Sequence, residues 1–142
     1  MNTAIKAEIY ELVEKANVAL ISSVDKNGYP QTKGMLALGR DGMGVHYFST
    51  NCSARRTRQF RNNSHACIYF YREPDYRGVM LVGDIEVCDD KAHRELLWRE
   101  GFEVYYPQGV DDPDYCVLKF TVKWGNYYHA LHNEDFDIGI LL

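Results

Sequence analysis

Residues 18–49 read VALISSVDKNGYPQTKGMLALGRDGMGVHYFS. VALISSV (Val18–Val24) is a short, mostly apolar run with the composition of a strand, and Asp25-Lys26-Asn27-Gly28 closes it with an Asn-Gly pair suited to positive φ. A second arm runs from Tyr29 to Leu38, turns at Gly39-Arg40-Asp41-Gly42 and returns as Gly44-Val45-His46-Tyr47-Phe48-Ser49. Three strands within about thirty residues leave room only for hairpins, so antiparallel pairing is expected here.

The flanking sequence extends this pattern. Upstream, Ile5, Ile9, Leu12, Val13 and Ala16 recur at three- and four-residue spacing, which predicts an amphipathic helix over 2–16 capped by Asn2 or Thr3. Downstream, Cys52 to Asn62 is polar, Arg-rich and helical in character, with Ser53 as its candidate N-cap. His65 to Glu73 and Arg77 to Cys88 read as the fourth and fifth strands, joined by a turn at Glu73-Pro74-Asp75-Tyr76. A helix over 90–100 with a preceding Asp cap, a Tyr/Pro/Asp-rich loop over 101–114 and a sixth strand from Tyr115 to about Tyr127 follow. In that strand Cys116, Leu118, Phe120, Val122 and Trp124 alternate, and the tail ends in FDIGILL, unusually apolar for a free terminus. Six short strands with three helices predict a mainly β, α+β chain folded as a small antiparallel barrel.

The chain has 142 residues, 46% hydrophobic and 25% charged, which suits a single domain over 1–142 with a real core. Its net charge of −4 argues against a surface that coats nucleic acid or anionic lipid, so an anion site has to be local. No apolar run reaches the ~18–20 residues of a bilayer span, and the charged, amphipathic start is unlike a signal peptide, so a soluble cytoplasmic protein is expected. Cys52, Cys67, Cys88 and Cys116 form no C-x-x-C pair, which predicts reduced, partly buried thiols rather than a zinc knuckle.

Chemistry concentrates in Tyr47-Phe48-Ser49-Thr50-Asn51-Cys52-Ser53-Ala54-Arg55-Arg56-Thr57-Arg58-Gln59-Phe60-Arg61, where a strand gives way to a helix and four arginines fall within seven residues. Free backbone N–H groups, the positive end of a helix dipole and Arg forks together suit a phosphate. Arg56 shares a helix face with Phe60, so it is aimed toward the sheet if Phe60 packs inward, while Arg58 and Arg61 face solvent. Arg55 and Arg56 are therefore the candidate ligands; the competing reading is a solvated basic helix face.

From Val18 to about Tyr128 the sequence resembles the pyridoxamine 5'-phosphate oxidase-like, FMN-binding split β-barrels, in the style of the short general stress proteins. The resemblance is carried by D-x-x-G-x-P (Asp25, Gly28, Pro30), the basic-x-Met pair Lys33 and Met35, the string F-S-T-N-x-S-x-R-R ending in Asn62-Asn63, Arg77-x-Val79-x-x-x-Gly83, and Leu97-Trp98. It implies a six-stranded antiparallel split β-barrel forming a homodimer, with FMN at the dimer interface. Lys33 with Arg55 or Arg56 would hold the phosphate, Ser49, Thr50 and Ser53 would add donors, and the backbone of Gly34, Met35 and Leu36 would edge the isoalloxazine ring. Family geometry also brings late-strand residues of the partner near the flavin, which makes Trp124 a candidate. Two departures speak against vitamin B6 oxidation: Gly78 stands where the oxidase has a flavin-contacting Gln, and the tail lacks the Arg and His that grip pyridoxal phosphate.

Other features are weaker. His129-x-x-His132 could place two imidazoles on one helical turn, but no third ligand is adjacent, so no metal site is assigned. Asp84 and Glu86 read as the wet face of a strand, Trp124, Tyr127 and Tyr128 as core or interface aromatics, and Cys52 as a small hydrophobe near the candidate phosphate site. The leading expectation is an FMN-dependent oxidoreductase acting on a small molecule, with no catalytic residue nominated. Alternatives are a split barrel that binds deazaflavin F420 or haem, with His129 or His132 as the axial ligand, and a non-enzymatic flavin-binding or sensing module.

Overall fold

A computed structural model of the chain describes residues 1–73 and 75–142. Helix α1 (Thr3–Lys15) starts where the Asn2 side chain accepts the Ile5 N–H at 2.9 Å, and its stripe of Ile9, Leu12 and Val13 is buried. Strands β1 (Val18–Val24), β2 (Pro30–Leu36), β3 (Gly39–Asp41) and β4 (Val45–Asn51) follow. Then come α2 (Arg55–Asn62), β5 (His65–Arg72), β6 (Arg77–Cys88), α3 (Lys91–Leu97), β7 (Tyr115–His129) and β8 (His132–Asp137). The strands form one curled sheet in the order β2-β1-β5-β6-β7-β4-β3, with β8 also on β7, and every ladder is antiparallel. This is the mainly β, split-barrel architecture expected, with eight strands among the described residues where the sequence pattern suggested six.

Both extra strands are short and lie where turn chemistry misleads. Gly39–Asp41, expected as a turn, pairs with Val45–Tyr47, and the reversal moves to Gly42 at φ 58°. Strand β8 returns along β7 from His129↔His132 to Trp124↔Asp137 through Ala130 and Leu131, both at positive φ (48° and 68°). Hairpin turns of that geometry normally carry Asn or Gly, so this one is silent in sequence. His129 and His132 accordingly face each other across a hairpin and do not share a helical turn. The turn expected at Glu73–Tyr76 includes Pro74, which lies outside the described residues.

A bulge resets the inward face of β7. Val82 pairs with Trp124 and Gly83 with Val122, so Lys123 is unpaired and the parity of the strand flips. Cys116, Leu118, Phe120 and Val122 are buried before it, Gly125 and Tyr127 after it, and Trp124 is left 41% exposed. The main core gathers the α1 stripe with Ile21, Phe48, Phe60, Ile68, Phe70 and Leu81, while a second cluster packs Leu97, Tyr106, Tyr115 and Val117. The apolar tail serves the chain's own core: Phe136 and Leu141 are buried, and the Tyr10 hydroxyl donates to the Leu141 carbonyl at 2.5 Å. Ile140 and Leu142, at the end of the tail, remain exposed.

His46 sits in the main core between Phe70 and Phe120, with Nε2 3.1 Å from the Met43 carbonyl. Burial outweighs that bond and lowers the imidazole pKa to about 4. The folded pKa lies below the unfolded one, so the stabilisation is fully present above about pH 6.5 and is lost as the pH falls toward 4. A shift of this size corresponds to about 3 kcal/mol. We expect unfolding free energy to drop over this window and to drop distinctly less in His46→Gln; parallel pH profiles in urea titrations would refute the assignment.

Candidate functional site

The site begins where β4 ends. At that corner Asp114, at the foot of β7, gathers three donors on its carboxylate: the Asn51 amide at 2.8 Å, the Ser53 N–H at 2.8 Å and the Ser53 hydroxyl at 3.0 Å. These bonds, the Asn51 amide first, hold the carboxyl below its ordinary range. Ser53 is thereby drawn away from α2, and the helix is capped by Ala54 with no side-chain acceptor. The expected Ser53 cap is thus corrected by a long-range competitor, and the start of α2 keeps its positive end uncapped by any side chain.

Along α2, Thr57 and Phe60 are buried while Arg55, Arg58 and Arg61 are exposed. Arg56 lies half-buried on the Phe60 face, as the helical period predicts, and its Nε donates to the Thr50 hydroxyl oxygen at 3.1 Å. Thr50 is buried, so it orients this guanidinium from behind. Thr57 donates to the Asn51 carbonyl at 2.7 Å and Ser23 donates to the Gln59 side-chain oxygen at 2.5 Å, fixing the helix to β4 and β1.

Two cavities flank Arg56. The larger, about 570 Å³, is lined by Lys33, Arg55, Arg56 and Gln59 over the floor of Ile21 and Phe60. The smaller, about 180 Å³, is lined by Gly34, Met35, Leu36, Ser49 and Arg56 on one side, with Phe102, Tyr105 and Tyr106 on the other. The expected residues thus separate into a cationic lobe and a backbone-edged apolar lobe joined at Arg56. Thr50, Ser53 and Trp124 line neither lobe. The aromatic wall from the 101–114 loop was missed, since its Tyr and Phe content signals burial but not what it faces. Tyr106 anchors that wall, and burial raises its pKa well above the ordinary tyrosine range.

Elsewhere, a Cβ built on Gly78 would meet the Tyr69 hydroxyl and come within 2.7 Å of its Cζ, so Tyr69 occupies the space a longer side chain would need. Asp84 is held by Lys123 at 2.7 Å and by Ser64 at 2.8 Å, as suits a wet strand face. None of the five histidines lines either lobe: His46 is in the core, and His65, His93, His129 and His132 face Asp84, Asp90, Arg77 and Glu134. All four cysteines are free thiols. Among the described residues no helix is long and apolar enough to cross a membrane.

A solved structure of a protein related to general stress protein 26 of B. subtilis (pyridoxinephosphate oxidase family), from Clostridium acetobutylicum, is 41% identical, with TM-score 0.90 and full coverage of both chains. An FMN-binding, pyridoxamine 5'-phosphate oxidase-related protein from Nostoc punctiforme shares the fold at 15% identity and TM-score 0.69, covering 91% of this chain and 86% of its own. A heme binding protein from Mycobacterium smegmatis does so at 14% identity and TM-score 0.74, covering 96% of this chain and 59% of its own. A search of curated proteins gives no match. Residues 5–140 match the family described as "Pyridoxamine 5'-phosphate oxidase like". With nearly the whole chain matched and a relative above 40% identity, the chain belongs to the pyridoxamine 5'-phosphate oxidase-like family.

Proposed function

We propose that the chain binds FMN in the two lobes flanking Arg56 and serves as a flavin-dependent oxidoreductase for a small molecule. The observation that carries this reading is the convergence of Lys33, Arg55 and Arg56 on one cavity at an uncapped helix start, in a chain of net charge −4. The donor set fits a terminal phosphate. In this reading Arg55 and Lys33 bind it from the rim, and Arg56, its Nε fixed on Thr50, presents its remaining N–H groups in a set orientation. Gly34, Met35 and Leu36 offer backbone to the ring edge, while Phe102, Tyr105 and Tyr106 keep water from that side. The bound flavin supplies hydride and one-electron chemistry, and the protein orients it and controls access.

A 180 Å³ lobe is small beside the ~300–1,000 Å³ of sites that enclose a ligand, so it grips only one edge of a ring. Val18 and Leu36, partners across the β1–β2 ladder, are each about half exposed beside it (48% and 52%). A second copy covering that apolar edge would complete the cavity, and Trp124 would then act on its partner's flavin. Vitamin B6 oxidation lies outside the proposal, because Tyr69 fills the place above Gly78. The absence of an imidazole from both lobes favours flavin over haem. Sedimentation velocity recorded at the flavin absorbance is the direct test: yellow colour should travel with a dimer at one FMN per chain. A colourless protein that takes up no FMN, or one with a haem spectrum, would refute the cofactor, and flavin on a monomer would refute the shared site.

A further inference from the structure

We propose that Cys88, Asp90 and His93 form a site for a zinc-type divalent ion, independent of the flavin lobes. β6 ends at Cys88, Asp90 caps α3 and His93 lies one turn into that helix, so a C-x-D-x-x-H spacing is folded onto a single corner. One donor atom from each residue lies within 4.8 Å of the other two. Tetrahedral zinc with ligand bonds of roughly 2.0–2.3 Å needs donors somewhat under 4 Å apart, so the three side chains would draw together on binding.

The environment of each group supports ligation. The Cys88 thiol is buried in the cluster of Leu97, Tyr106, Tyr115 and Val117, and its hydrogen-bond contact, to the Glu86 carbonyl at 3.8 Å, is too long to hold it. Asp90 accepts the His93 backbone N–H at 3.3 Å, which aims its carboxylate at the corner, and both oxygens lie 2.7–2.8 Å from His93 Nδ1. The Tyr47 ring packs beside the imidazole with centroids 6.2 Å apart. Asp90 is exposed and His93 partly so, which leaves an entry path from solvent. A thiolate, an imidazole and a carboxylate select zinc or cobalt over magnesium or calcium, and water completes four-coordination. On binding, the Cys88 proton passes to solvent and the Nδ1–carboxylate contact opens to admit the ion. The ion would then tie the end of β6 to α3, whose Leu97 and neighbouring Trp98 support the wall that closes the apolar lobe.

Cobalt(II) titration of the full chain after treatment with a chelator tests this without reference to flavin or activity. One Co²⁺ per chain should bind, with a thiolate-to-cobalt charge-transfer band in the near ultraviolet and the visible bands of tetrahedral cobalt, all removed by zinc. Cys88→Ser should abolish the charge-transfer band. His93→Gln, at a partly exposed position that leaves the core intact, should lower cobalt affinity at least about tenfold and decides the matter alone if the serine variant does not fold. The absence of a charge-transfer band would overturn the site and direct attention to the His132–Glu134 pair, and bands unchanged in His93→Gln would overturn it in favour of Cys52 or Cys67.

Discussion

Gly83→Ala is expected to destabilise the protein by about 3 kcal/mol, the upper end of the usual cost of overpacking. At the β6–β7 bulge a Cβ on residue 83 would drive into the Thr121 carbonyl oxygen and come within 2.9–3.0 Å of Thr121 C and Val122 Cα. These are ladder atoms, fixed on the other side by pairing of Thr121 with Val45 of β4, so they cannot retreat without unzipping two strands. The closeness results from the extra residue, Lys123, which buckles β7 toward β6. Gly28→Ala is the contrast: φ is +84° but a Cβ meets nothing within 4 Å, so only the conformational term of about 1 kcal/mol is at stake. Urea midpoints for the two variants check this, and a Gly83→Ala protein within 1 kcal/mol of the parent would mean that the strands do not approach as described.

That bulge also marks where sequence reasoning stopped working. Strand β1 matched its predicted span because a short, mostly apolar run of strand composition, closed by an Asn-Gly turn, decided it locally. The β7 pattern rests on alternation instead, and parity changes at Lys123 for a reason that lies in β6, so Trp124 looked inward by periodicity and emerged outward. Ser53 failed as a cap because Asp114, 61 residues away, claims its hydroxyl. Strand β8 was hidden by a turn at Ala130-Leu131 whose residues are held at positive φ by the ladder rather than by preference. What was legible in the candidate site was what the helix period controls: Arg56 on the Phe60 face, Arg58 and Arg61 turned to solvent. The aromatic wall of the second lobe depends on where a fourteen-residue loop lands, which no local pattern encodes.

Arg55→Ala combined with Arg56→Ala should weaken FMN binding by roughly 2–4 kcal/mol, or about 30- to 700-fold, if the larger lobe takes the phosphate. Each arginine would lose a charge-assisted bond of about 1.5–3 kcal/mol, and the sum is discounted because Arg55 is exposed and screened. Riboflavin, which has the ring and no phosphate, should lose less than about threefold, since its contacts lie with Gly34, Met35 and Leu36. Thr50→Val separates orientation from charge: it removes the acceptor that fixes Arg56 Nε at 3.1 Å but leaves the guanidinium in place. It should therefore weaken FMN by less than the double change and leave riboflavin unaffected. Fluorescence titration of both flavins against the three proteins gives the answer. Equal losses for FMN and riboflavin would mean that the arginines hold the fold rather than the phosphate. No loss for either would return the Arg-rich face of α2 to an ordinary solvated helix surface, because no other cation lines the larger lobe except Lys33.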